Sequence, residues 1–577
     1  MMKKQDRILF KEIEYSIYQE RIRLDNKITC QKHFIYGFVK EEETYNDLLM
    51  YYKDFNVNVL KIMSIKINNS EKCSFKIGES YINGNITKQD GYVKVIIERF
   101  DLEMRDYDSM KKIMRCGIFL IDDCKFFVNN INSFISKIPQ SNNIVFDVLN
   151  KKTTQIQTQI RTRVKPNQID ELNSSQDDAV MKALEQKISF IIGPPGTGKT
   201  ITLATLAAIL IISGYRVLLT ATSNKAVDQL LLATIERSGN FKAVRLGCFM
   251  DQRCKRFSRQ EFIKNNNDNY WNNHVINSNL VAANMFSLSM KFNWGIGDFD
   301  YVIADEVSMT NVPSLMVATY YSKNAVVFAG DSMQLPPPIP FNPNDPERWY
   351  CDSIFEKSDV SYCDDPRSTL LNTQYRMQGE IGELVSQLFY KSLLMNGTVA
   401  IPRNENFPSR IVFFNTAGCV SNLGGAMNYG EEQTRCNENH AKIILDTVLF
   451  SLNKGFKEPE IGVICPYNAQ VDLVRRYLQR DGINEVQVST VHSFQGQERK
   501  QIIVDFTDDD IKPTQLTADQ RLINVAISRA KEQLILVGNK GYLSNEQFFT
   551  QDKIKTFAKM LGFSIVVLGS FFQKNSG

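Results

Sequence analysis

The stretch GPPGTGKT at residues 193–200 decides the fold, through what stands on either side of it. Upstream, Ile188–Ile192 is a short apolar run suited to a buried strand; downstream, Lys199–Ile212 is a long apolar-rich run suited to a helix. A loop at such a junction turns its backbone N–H groups inward around phosphates. Gly193, Gly196 and Gly198 permit the turns, and Pro194, Pro195 and Thr197 complete the loop. Lys199 then reaches the outer phosphate oxygens and the Thr200 hydroxyl coordinates Mg2+. The helix aims its positive N-terminal end at the same place. The string therefore implies a bound nucleoside triphosphate.

Working outward, near-continuous apolar runs end at Ala221, Ala304 and Gly330, and a second series covers 461–466, 486–491, 501–506 and 534–538. Such runs, alternating with helical patterns, predict two doubly wound α/β domains whose parallel sheets are covered on both faces, with ligands at the strands' carboxyl ends. Residues 1–140 differ: alternating segments at 74–77 and 92–97, with turn signals at Asn83-Gly84 and Asp90-Gly91, predict a small β-rich domain behind a charged helical leader. Residues 141–170 read as a helical connector, 171–368 as the first α/β domain and 369–577 as the second. Within the first, 236–280 shows no sheet strand and reads as a helical insertion. It interleaves Arg237, Lys242, Arg245, Arg253, Lys255, Arg256, Arg259 and Lys264 with Phe257, Phe262, Tyr270 and Trp271. That pattern suits a strand-binding channel as well as a solvated helical face.

Asp305 and Glu306 close the strand ending at Ala304. Beside a phosphate loop, Asp305 would hold Mg2+ and Glu306 would orient the attacking water. The next strand ends in GDSMQLPP at 330–337, where Asp331 and Gln334 stand on a proline-stiffened loop that either senses the terminal phosphate or is an ordinary turn.

Composition bounds the rest. With 577 residues and 43% apolar content, the chain has room for several cores. A net charge of +4 permits a nucleic-acid partner without arguing for one. Eleven cysteines without a C-x-x-C pair suggest neither structural zinc nor a disulfide framework. The charged start and the absence of a membrane-length apolar run lead us to expect a cytoplasmic protein, or a nuclear one in a eukaryote, with no membrane partner.

In order, LNSSQDDAV (172–180), GPPGTGKT, TATSNKAVDQL (220–230), ADEVS (304–308), GDSMQLPP, LNTQYRM (371–377), IGVICPYNAQ (461–470), VSTVHSFQGQE (488–498) and LINVAISRAK (522–531) resemble the motif series of the superfamily 1 helicases. The resemblance is to the branch of the up-frameshift helicase, senataxin and the immunoglobulin-mu-binding-protein helicase. It implies tandem RecA-like domains, a small N-terminal barrel and ATP with Mg2+ as cofactors. It further implies that Gln176 reads the adenine edge, Tyr375 stacks on the base, Arg376 and Gln334 contact the γ-phosphate, Gly496 and Glu498 lie near ribose and phosphates, and Arg529 is the arginine finger. Nucleic-acid contacts are implied at Ser223, Asn224, Pro466, Tyr467 and Thr490. The chain departs from the family at Val307, at Gln378-Gly379 and at His492-Ser493, and has no counterpart of the family's zinc-binding domain.

The implied activity is that of an ATP-dependent motor moving 5′ to 3′ on single-stranded or tailed DNA or RNA, acting as a monomer. An ATP-gated clamp or protein-displacing remodeller that separates no strands would carry the same motifs, and DNA and RNA are not distinguished by them.

Overall fold

A computed structural model describes residues 162–568 except 240, 248–249, 291–295, 338–347, 361–364, 418–426, 429–433, 510–511, 515 and 518, together with 131, 144–149 and four strands nearer the N-terminus. The expected helical leader lies outside the described residues.

The four strands are β1 (Phe55–Val57), β2 (Glu71–Ile77), β3 (Ser80–Gln89) and β4 (Tyr92–Ile97), an antiparallel sheet of order β1-β4-β3-β2. Strands β3 and β4 end on either side of Asp90-Gly91, as a two-residue hairpin would. Asn83-Gly84 makes no turn. It lies inside β3, opposite Ser74 and Cys73, where the ladder continuing on both sides accommodates the glycine. The rest of the expected barrel-like domain lies outside the described residues.

The first parallel sheet contains β5 (Ile188–Ile192), β6 (Val217–Ala221), β7 (Ala243–Leu246), β8 (Leu280–Asn284), β9 (Phe299–Ala304), β10 (Ser322–Gly330) and β11 (Ser368–Leu370), in the order β11-β5-β10-β9-β6-β8-β7. Alternate strand residues feed two cores. Ile191, Leu219 and Ile303 pack with α2 (Ser174–Glu185), α3 (Lys199–Ile212) and α4 (Asn224–Ser238); Phe190, Leu218, Val302 and Phe328 pack with α1 (Ile144–Leu149) and α7 (Val312–Thr319). Burial on both faces is why these strands read as continuous apolar runs.

The expectation that 236–280 holds no strand is corrected by β7. Ala243–Leu246 pairs in parallel with β8 at the sheet's edge, and its Arg245, 1% exposed, is paired with Asp228 of α4 at 2.6 Å. A charge in the middle of a four-residue strand hid the pattern, and the buried partner is what makes that charge tolerable there. The helical part is shorter than expected, with α5 (Arg259–Asn265) and α6 (Trp271–Ile276) as its α-helices. The last strand of this sheet, β11, runs across residues 368 and 369 and pairs in parallel with β5.

The second parallel sheet contains β12 (Ile411–Asn415), β13 (Ile461–Cys465), β14 (Gln487–Thr490), β15 (Arg499–Asp505), β16 (Ala530–Gly538) and β17 (Ile565–Leu568), in the order β14-β13-β15-β16-β12-β17. Helices α8 (Gly379–Phe389), α11 (Gln520–Ile527) and α12 (Gln551–Phe563) cover one face, and α9 (Glu438–Asn453) and α10 (Asn468–Arg480) the other. Leu335, from the loop after β10 of the first domain, is fully buried in the second domain's core, the cluster that also holds Met377 and Ile527. The two α/β domains thus share an apolar contact next to the cleft between them.

Candidate nucleotide site

Three neighbouring strand ends build one side of this cleft. Sheet order sets β5 beside β10 and β10 beside β9, so the phosphate loop, Asp331 and Asp305 emerge together. The Gly193 N–H donates to the Gly330 carbonyl at 2.9 Å, tying the loop to β10. Gly196 and Gly198 have φ of 75° and 77°, the left-handed region that suits glycine. A side chain at either would also collide: a Cβ on Gly196 would lie 2.5 Å from Arg376 Cβ, and one on Gly198 2.5 Å from Gln176 Nε2.

The second domain and its linking segment supply the other side. Tyr375, Arg376, Gln495, Gly496, Glu498, Arg529 and Lys531 line a cleft of about 470 Å³ together with 193–201, Asp305, Glu306, Asp331 and Gln334. The Tyr375 N–H donates to the Gly196 carbonyl at 2.8 Å, seating this segment on the phosphate loop. The Tyr375 ring is 49% exposed, and its hydroxyl accepts from Asn173 Nδ2 at 2.9 Å. An anchored, half-open ring is a suitable stacking surface for a base. Gln176 does not line the cleft. Its Nε2 donates to the Thr197 carbonyl and its Oε1 accepts from the Asn173 N–H, both at 3.0 Å, so its amide braces the loop from behind.

The cleft's charges are arranged in opposed pairs. Lys199 Nζ lies 2.9 Å from Asp305 Oδ1; burial works against its charge, but Asp305, with Glu306 and Asp331, more than offsets this and its pKa is raised. Glu498 bridges Arg376 Nε at 2.6 Å and Lys531 Nζ at 2.5 Å, and against the cost of burial these two cations lower its pKa. Arg529 is the exception among the described cleft cations. It is 3% exposed, it makes no ion pair, and its Nε has no hydrogen-bond partner. Burial, then the like charge of Arg376, pushes its pKa down. A buried guanidinium without an anion is costly, so the site is built to receive one.

The acidic groups carry the opposite strain. Burial and then Asp305 raise the pKa of Glu306, whose Oε2 accepts from Thr222 Oγ1 at 3.0 Å and from Ser223 Oγ at 3.2 Å. Burial also raises Asp331, which accepts from Tyr390 Oη at 2.6 Å and Gln334 Nε2 at 2.9 Å. Asn524 of α11 donates to both the Tyr390 hydroxyl, at 2.8 Å, and the Met333 carbonyl, at 2.7 Å, so the loop after β10 is hydrogen-bonded to the second domain.

Lys531, Asn173, Thr222, Tyr390 and Asn524 were not singled out from sequence, although Lys531, Asn173, Thr222 and Asn524 lie inside quoted motifs. Among the residues tied to nucleic acid, Ser223 is exposed at the start of α4, and Asn224 Oδ1 accepts from Arg245 and Asn284. Thr490 is half-buried, its hydroxyl donating to Ser493 Oγ at 3.2 Å. Pro466 and Tyr467 are buried, and the Tyr467 hydroxyl donates to Asp508 Oδ2 at 2.7 Å. Asn468 is the exposed residue that follows.

A phosphate loop on one parallel-sheet domain, completed by arginines from a second, defines a tandem-domain P-loop nucleoside triphosphatase. Two family models, each described as an AAA domain, match residues 171–284 and 350–541. The DNA replication ATP-dependent helicase/nuclease DNA2 of Saccharomyces cerevisiae is 28% identical over 68% of this chain and 27% of its own length. The regulator of nonsense transcripts 1 homolog of Drosophila melanogaster is 30% identical over 66% and 35% respectively, and the DNA polymerase alpha-associated DNA helicase A of Schizosaccharomyces pombe 28% over 66% of each. This chain thus spans about a third of the length of most of these relatives. Among solved structures, the arterivirus nonstructural protein 10 helicase covers 86% of this chain and 80% of its own at 12% identity, with a TM-score of 0.37. These matches support a superfamily 1 helicase of the up-frameshift helicase branch. Among the described residues no helix is long and apolar enough to cross a membrane, and no group of three or more His, Cys, Asp or Glu side chains is disposed to hold a metal.

Proposed function

We propose that this chain hydrolyses ATP in the cleft and uses the cycle to move along single-stranded nucleic acid, 5′ to 3′, displacing a paired strand. The observation that carries the reading is Arg529, buried, unpaired and facing the phosphate loop from the other domain. ATP supplies the anion it lacks. Guanidinium charge brought to a transferring phosphoryl group is worth roughly 10³ to 10⁵ in rate.

In this reading Tyr375 holds the base and the loop N–H groups cradle the phosphates. Lys199 leaves Asp305 for the phosphate oxygens, and Arg376 leaves Glu498 for the same charge. Thr200 and Asp305 would hold Mg2+, which neutralises phosphate oxygens. Glu306 orients and deprotonates the attacking water, and Gln334, held on Asp331, contacts the γ-phosphate. Binding draws the domains together and product release lets them part, so grip on a strand near Ser223, Asn224 and Thr490 alternates with the nucleotide state.

The test is ATP hydrolysis by wild type, Lys199→Ala and Arg529→Ala with and without single-stranded DNA or RNA, followed by displacement assays on 5′-tailed and 3′-tailed duplexes. Stimulation by a single strand, loss of turnover by about a thousandfold or more in Arg529→Ala, and displacement from the 5′ tail are expected. Undiminished turnover in both variants would sink the site assignment; stimulated hydrolysis without displacement on either tail favours a clamp.

A further inference from the structure

Glu306 is restrained by groups that the hydrolysis reaction does not require. The Asp305 N–H donates to the Thr220 carbonyl at 2.8 Å, continuing the β6–β9 ladder beyond its last strand pair. The residues that follow, Thr222 and Ser223 after β6 and Glu306 after β9, are thereby brought side by side. Glu306 sits at φ 56°, a left-handed conformation that a non-glycine residue adopts at a cost. Its carboxylate is met on one oxygen by both hydroxyls, at 3.0 and 3.2 Å.

Ser223 has a second task. Its Oγ accepts from the Ala226 N–H at 3.1 Å and so caps α4, and it is the exposed residue at which the proposed function puts a nucleic-acid phosphate. A serine hydroxyl has one proton to give. Here that proton is donated to Glu306. A phosphodiester oxygen only accepts, so to engage Ser223 it has to take the same proton. Strand binding and the Ser223–Glu306 bond therefore exclude each other.

We propose that Thr222 and Ser223 form a latch that holds the Glu306 carboxylate at rest, and that a nucleic-acid phosphate at the start of α4 frees it. The proposal rests on the reading of the chain as a nucleic-acid-stimulated ATPase and supplies its coupling step. Both hydroxyls are positioning residues, acting through Glu306.

The full chain is assayed as Thr222→Val, Thr222→Ser and Ser223→Ala, each with and without a single-stranded oligonucleotide. Valine matches threonine in shape but gives no proton. In Thr222→Val the oligonucleotide-free rate rises about tenfold, the scale of one hydrogen bond to a charged group, and the stimulation ratio shrinks accordingly. Thr222→Ser stays at the wild-type rate, and Ser223→Ala behaves like Thr222→Val but also binds a labelled strand more weakly. A merely structural role would lower both rates together. An unchanged or lower oligonucleotide-free rate in Thr222→Val, at an unchanged melting temperature, overturns the latch. A wild-type rate flat to DNA and RNA overturns the nucleic-acid reading instead, and the Thr222→Val rate still decides the latch, because that measurement contains no oligonucleotide.

Discussion

A general base works only while unprotonated, and Glu306, proposed for that role, is held where the proton is favoured. Burial and the neighbouring Asp305 carboxylate raise its pKa above that of a free glutamate. Since the deprotonated form is the active one, hydrolysis should fall as pH drops, with its acid limb above the ordinary glutamate value of about 4.3. Glu306→Gln keeps the shape and removes the base. Turnover should fall by about 10² to 10⁴ while binding of a fluorescent nucleotide analogue is retained. A Glu306→Gln enzyme with wild-type turnover would mean that another group activates the water. Glu306 was legible because its neighbours in sequence mark a strand end beside a phosphate loop. Thr222, which touches the same carboxylate, was not, since its role comes from β6 lying beside β9 and strand adjacency is a tertiary fact.

At the scale of elements, the carboxyl edge of the second sheet rests on a charge buried among carboxylates. His440 of α9, fully buried, has Nδ1 2.7 Å from Asp505 Oδ1 at the end of β15 and Nε2 3.2 Å from Asp509 Oδ2. Burial opposes its charge, but the two carboxylates prevail and raise its pKa to about 10. The unfolded chain has the ordinary value of about 6.5. Since the folded pKa is the higher, the stabilisation is fully present below about 6.5 and is lost as pH rises through 10; it amounts to a few kcal/mol, on the order of what such a shift represents. Melting temperature should therefore decline between these limits in wild type and much less in His440→Gln, and equal slopes would show that the imidazolium is not the cause. This network joins α9 to the loop after β15, residues far apart in sequence, and no motif announced it. The strands themselves divide the same way. Those of five or more mostly apolar residues beside a motif, such as β5 and β9, read directly, whereas β7 is four residues with an arginine in it and β17 lies beyond the motif series. Pro466 and Tyr467 show the converse limit: a motif names the residues, but folding at the strand end decides that these two side chains are buried.

For the whole molecule, what matters is how the two domains are joined, and the contacts differ greatly in worth. Arg521 of α11 reaches Glu356 of the first domain at 2.7 Å, but both side chains are about a third exposed, and such pairs contribute roughly 0–1 kcal/mol. Leu335 is fully buried in the second domain's core while its backbone belongs to the first. Truncating a buried leucine costs about 2–5 kcal/mol, so the apolar plug dominates the ion pair. The plug follows directly on Gln334, and Asp331 three residues earlier is hydrogen-bonded to Tyr390 of the second domain. Loosening it should therefore disturb closure more than nucleotide binding. Leu335→Ala is expected to leave the affinity for ATP within about threefold while turnover falls about tenfold or more, since each 1.4 kcal/mol taken from the closed state is a factor of ten. Arg521→Ala is expected to leave both within about fivefold. Calorimetry should show a lower or broadened transition in Leu335→Ala, because the core of one domain no longer holds a residue of the other. If Leu335→Ala hydrolyses ATP at the wild-type rate, closure does not run through this contact, and the hydrogen bonds from Asn524 and Tyr390 to the same loop become the joint that carries it.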